Sequence, residues 1–156
     1  MSGRAAGSWR FVQMLEALLR EGHPVRFRAP GWSMHPTIRN GEIITVAPVG
    51  RAPIRTGDVL LYREGGAAIA HRVVRVRSGA ADRPTFVLRG DAADSCDQPI
   101  AVEQVLGRVL AVERAGRAIV VSRVNRIWSR TLARALRAAR IARMRVAAAI
   151  RPLRRL

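Results

Sequence analysis

The chain has 156 residues and a formal charge of +17, and its 28 basic residues are all arginine. That length supports one ordinary domain with a core, while the absence of lysine excludes Schiff-base, P-loop and Ser–Lys chemistry. The single cysteine, Cys96, excludes an intramolecular disulfide, and with only three histidines no zinc-ligand spacing emerges, so neither a metal nor a cofactor is expected.

Residues 1–24 form an N-terminal helical segment. The spacing predicts a helix at about 8–21, with Ser8 as N-cap, an apolar face of Phe11, Val12, Leu15, Leu18 and Leu19, and a stop at Gly22 and Pro24. Arg10, Glu16, Arg20 and Glu21 interrupt any signal-peptide core there. Nowhere does an apolar run approach the roughly 18 residues of a transmembrane helix.

Residues 25–122 change to β grammar. Short β-branched runs at 25–28, 43–46, 59–62, 69–76, 85–88, 105–112 and 118–121 are separated by Asn40-Gly41, Thr56-Gly57-Asp58, Gly65-Gly66 and Gly90-Asp91. The fold class expected is mainly β, a small antiparallel domain. Residues 123–156 differ again: they hold 11 Arg and no acid, whereas residues 1–122 hold 17 Arg and all 11 acids. Arg123, Arg126, Arg130, Arg134, Arg137 and Arg140 share a helical beat with Val124, Ile127, Trp128, Leu132 and Leu136, which predicts a basic amphipathic helix.

Four segments of the β region carry candidate chemistry. Ser33 stands in a turn constrained by Gly31 and Pro36; by itself it reads as a turn residue, because a serine needs an adjacent base to become a nucleophile. His71 lies in the longest strand run, on one face with Ile69 and Val73, with Ala70, Arg72 and Val74 on the other; a lone strand histidine also has a purely structural reading. His35 is an alternative base but is too near Ser33 in a tight turn to reach back in line, and His23 reads as a loop residue. The segment 88–97 gathers Asp91, Asp94 and Asp97 after a strand, either as Asx turns or as the source of a carboxylate that orients a histidine. Asp58, after Gly57, reads as a turn residue.

Taken in order, Gly31-x-Ser33-Met34-x-Pro36-Thr37 with Asn40-Gly41-Glu42, then Gly57-Asp58-Val59, then Ala70-His71-Arg72-Val73-Val74, then Gly90-Asp91 with Asp97 six residues on, resemble the type I signal peptidases and their soluble peptidase relatives across about residues 25–112. Most bacterial members carry a lysine base immediately before the arginine of the third block; His71-Arg72 resembles the endoplasmic-reticulum and archaeal branch, which has histidine there. The resemblance implies a signal-peptidase-like β domain, Ser33 as nucleophile, His71 as general base and Asp97 as the orienting acid, with Asp91 as a supporting or alternative acid and Met34 and Pro36 at the substrate. Imidazole, with a reference pKa of about 6.5, can accept a serine proton at neutral pH. The chain departs from the family pattern at Gly31, where members commonly have serine, at Glu42, where they have aspartate, and at Ala92 and Ala93, where asparagines are frequent.

The function expected is therefore a serine endopeptidase that removes a leader, signal or pro-segment from a peptide or protein precursor by acyl transfer. Without the family's N-terminal anchor, a specialised maturation peptidase in the cytoplasm is expected. Its 123–151 helix would meet the anionic inner face of the membrane, with Trp128 at the headgroup boundary. The alternative is a catalytically inactive peptidase-like binding protein that uses the basic tail on anionic membrane or nucleic acid. Aromatic residues make up only 4% of the chain and no recognition-helix unit is evident, which counts against nucleic acid.

Overall fold

The computed structural model describes residues 3–78 and 83–121, with side chains from Trp9 onward. The predicted tail helix and its membrane contact at 123–151 lie outside the described residues. One helix, α1 (Gly3–Arg20), precedes eight strands: β1 (Val25–Arg28), β2 (Ile43–Ala47), β3 (Val59–Glu64), β4 (Ala67–Ser78), β5 (Pro84–Arg89), β6 (Ile100–Ala101), β7 (Val105–Arg114) and β8 (Arg117–Val120). The molecule is mainly β, as its alternating β-branched runs require.

The helix begins earlier than its sequence signals suggest. Ser8 lies inside α1 and does not cap it; the preceding Arg4, Ala5 and Ala6 are good helix formers with no proline among them, so nothing halts propagation toward the N-terminus. The C-terminal stop is where Gly22 places it. Gly22 has φ +88°, and the turn closes through Gly22 N–H to Leu19 O at 3.1 Å and His23 N–H to Leu18 O at 2.9 Å.

All strand pairings are antiparallel, in the order β1-β2-β7-β3-β4-β5-β6, with β8 added to β7. β7 is the hub. Its first half pairs with β3, its second half pairs with β8, and its other edge pairs with β2. Strand alternation sends side chains of β3 to two cores: Val59 and Leu61 join Val12, Leu15 and Leu19 of α1, while Leu60 and Tyr62 join Val73, Phe86, Leu88 and Ile100. A fully buried aliphatic or aromatic side chain contributes roughly 1.5–3 kcal/mol, so each face has its own hydrophobic reason to form.

β6 and the 3-10 turn after it (Val102–Gln104) carry too few residues to leave a period in the sequence. They exist because Ile100 fills the second core and pairs with Phe86. Asp58 is more than a turn residue. It is buried, accepts from Arg55 N–H at 3.0 Å and lies 3.4 Å from the Arg108 guanidinium, which also donates to the carbonyls of Ala52 and Pro53. Burial pulls the Arg108 pKa down, against the pull of the Asp58 carboxylate.

Candidate active site

Ser33 occupies the connection between β1 and β2, and its side chain is exposed. The residues around it are fixed. Met34 and Ile38 are buried in the first core, Ile38 N–H donates to Met34 O at 2.9 Å, and Gly31, at φ +111°, donates its N–H to Asn40 Oδ1 at 2.9 Å. That φ is strained for any L side chain, so glycine suits position 31. Arg114 reaches across from β7 to grip both Glu42 oxygens and the carbonyls of Pro36 and Thr37. The hydrogen bond from Arg114 and the Arg39 N–H hold the Glu42 carboxyl below its ordinary range despite the opposing cost of burial. Among the described residues the Ser33 N–H has no acceptor, while Ser33 O accepts from Ala92 N–H at 2.9 Å.

His71 is buried in β4, opposite Leu60 of β3. Its Nδ1 lies 2.5 Å from Asp97 Oδ2, and the same carboxylate oxygen accepts from the Tyr62 hydroxyl at 3.1 Å. The other ring nitrogen, Nε2, is buried and has no hydrogen-bond partner among the described residues. It faces the Ser33 turn across Gly90: a Cβ on that glycine would lie 3.1 Å from Nε2 and 2.5 Å from Ser33 O. Glycine is needed at position 90 for that close approach.

Asp91 points elsewhere. It accepts from Arg72 Nε at 2.8 Å, from Arg72 Nη2 at 2.7 Å and from the Thr37 hydroxyl. Burial alone would push its carboxyl up, but the Arg72 and Thr37 hydrogen bonds together with the guanidinium charge hold it below the ordinary range. Arg72 also donates to the carbonyls of Gly57 and Val121. Asp91 thus braces the turn carrying Ser33, and Asp97 is the carboxylate brought to His71.

Ser33 and His71 line the same cleft of about 400 Å³, whose walls are Phe27, Ala29, Pro30 and Gly31 on one side and Ala68, Ile69 and Ala70 on the other, over Met34, Ile38, Ile44 and Leu61. Of the two predicted substrate contacts, Met34 lies in this lining and Pro36 does not: Pro36 is exposed on the turn, with its carbonyl on Arg114. His35 lies beside Trp32 with the rings tilted 45° and their centroids 6.3 Å apart, and takes no part in the Asp97 pairing. Among the described residues no three His, Cys, Asp or Glu side chains gather as metal ligands.

Tyr62 and Gly90 were silent as site residues in the sequence. Tyr62 occupies a core position of an ordinary strand run, and Gly90 looks like any turn glycine. No family model matches the chain, and no curated protein sequence matches it. Chemically, the arrangement offers an exposed hydroxyl, a free backbone donor beside it, and an imidazole oriented by a carboxylate, all at one apolar cleft.

Proposed function

We propose that the protein is a serine endopeptidase resembling the type I signal peptidases of the histidine-containing branch, acting on a leader, signal or pro-segment of a peptide or protein precursor. The observation that carries this reading is the His71–Asp97 pair, with Nε2 free and directed toward the Ser33 turn across a glycine that leaves no room for a side chain. Most buried side-chain polar atoms with a purely structural role have a hydrogen-bond partner.

The chemistry is acyl transfer. Ser33 Oγ attacks the scissile carbonyl as Nε2 takes its proton; the carbonyl oxygen becomes an oxyanion facing the Ser33 N–H; and the tetrahedral intermediate collapses as Nε2–H protonates the leaving amine. Water then attacks the acyl-Ser33 ester by the same relay and releases the carboxylate. Asp97 stabilises the transient imidazolium and fixes the tautomer that leaves Nε2 unprotonated. Hydroxyl and imidazole are not within hydrogen-bond distance in the free protein, and such contacts commonly tighten only around substrate. An oxyanion donor typically contributes about 3 kcal/mol to the transition state.

The cleft supports an extended substrate. β4 pairs with β3 from residue 67 onward but with β5 only from Arg72, so among the described residues no strand pairs with the edge of residues 67–71 on that side. A substrate backbone can add there, its apolar side chains entering the space between Ala70 and Met34. The cytoplasmic setting expected from the sequence goes with this reading, and no helix among the described residues is long and apolar enough to cross a membrane.

The test is covalent labelling with a fluorophosphonate. Wild type should label, Ser33→Ala should not, and His71→Ala should slow labelling by about a thousandfold or more. Wild-type labelling no faster than that of Ser33→Ala would remove the nucleophile and the proposal with it.

A further inference from the structure

The molecule contains a single tyrosine, Tyr62, and its ring is fully buried in the second core beside Phe86 and Leu88. An aromatic ring there needs no hydroxyl; phenylalanine would fill the same volume. The hydroxyl nevertheless reaches Asp97 Oδ2 at 3.1 Å and lies 3.5 Å from His71 Nδ1. Because one carboxylate oxygen serves both groups, the three form a closed cluster. We propose that Tyr62 is a positioning residue of the active site, a fixed neutral donor that holds Asp97 on His71 and limits how strongly the carboxylate draws the imidazole proton.

Burial, and then the charge of Asp97, push the phenol well above its ordinary range, so it stays protonated and serves only as a donor. The charged and titratable groups around the cluster are His71 from β4, Asp97 from the loop after β5, and Glu64 farther along β3, whose charge acts in the same sense on Tyr62; Arg75 and Arg77 of β4 and Cys96 line a second cleft with Asp97. An orienting carboxylate with no other donor holds its full charge for the imidazolium and favours the protonated base. A shared donor spreads that charge and weakens the carboxylate's hold on the imidazolium.

This inference rests on the peptidase reading for its purpose, but its test does not. The imidazole resonances of the full chain can be followed against pH by NMR, with His71 assigned by comparison with His71→Gln. In Tyr62→Phe the His71 midpoint should move to higher pH by about half a unit, and in an Asp97→Asn background the same replacement should move it hardly at all, because the phenol acts through the carboxylate. A midpoint that stays in place or moves down, or an equal shift with Asp97 removed, overturns the proposal.

A second measurement keeps the phenol hydroxyl in place. 3-Fluorotyrosine labels position 62 alone, and its fluorine resonance should track the His71 titration; a resonance indifferent to it also overturns the proposal. Fluorophosphonate labelling separates the two claims. If Ser33→Ala and wild type are equally inert while the fluorine signal follows His71, the peptidase reading fails and the cluster stands. If wild type labels, Tyr62→Phe should slow it by about tenfold at neutral pH.

Discussion

The carbonyl oxygen of Ser33 occupies the space that a side chain at residue 90 would need, and the ring of His71 closes on the same point. In Gly90→Ala the new methyl meets backbone, which cannot swing aside as a flexible side chain would. The turn must move, and a displacement near 1 Å at a reacting centre costs on the order of a hundredfold. Fluorophosphonate labelling of Gly90→Ala should fall by about that factor, with the β circular-dichroism spectrum retained. Asp91 makes a different prediction, because its carboxyl is held below the unfolded range by Arg72 and Thr37. Its stabilisation is complete above the unfolded carboxyl pKa of about 3.9 and disappears as pH falls through the lower folded value. Asp91→Asn should therefore lower Tm at pH 7, and the gap from wild type should close on acidification below about pH 4; thermal melts across pH 2–7 would show it.

At the level of elements, the proposed function makes the strand edge beside His71 the part that sets what reaches the serine. Ala68 and Ala70 are small, and the cleft exists partly because they are. Ala70→Leu should fill it, raising KM for a peptide substrate at least tenfold while leaving labelling by a small fluorophosphonate close to wild type; competition between peptide and probe measures both. The elements themselves were largely legible. Seven strands lie where β-branched runs and turn pairs place them, because in each the local preference and the buried face agree. Ser8 misled because a capping residue signals a helix start only where the preceding chain cannot continue the helix. β6 left no trace because two residues have no period. Ser33, His71 and Asp97 stand out through their order along the chain, and the structure brings Ser33 and His71 to one cleft and Asp97 to His71, but nothing local separates Asp97 from Asp91. That choice is made in three dimensions, by which face of β4 each carboxylate meets.

Across the molecule, the buried Asp58–Arg108 pair joins the approach to β3 to the hub strand β7. Asp58→Ala would leave the guanidinium without the carboxylate facing it, at a cost of about 3 kcal/mol, whereas Asp58→Asn, which keeps an acceptor, should cost less. Urea denaturation read by Trp fluorescence would rank the two, and equal stability of Asp58→Ala and wild type would show that the carbonyls of Ala52 and Pro53 suffice. A last consequence follows from the neighbours His71 and Arg72. Their side chains leave β4 on opposite faces, one to Asp97 and the other to Asp91, so the loop between the two aspartates straddles the strand. A slip of one residue would turn every side chain of β4 over: in one direction Arg72 would be offered to Asp97 and Val73 to Asp91, in the other Ala70 to Asp97 and His71 to Asp91. The two aspartates thus favour one register of β4, and a chain that satisfies both has already brought its imidazole to a carboxylate.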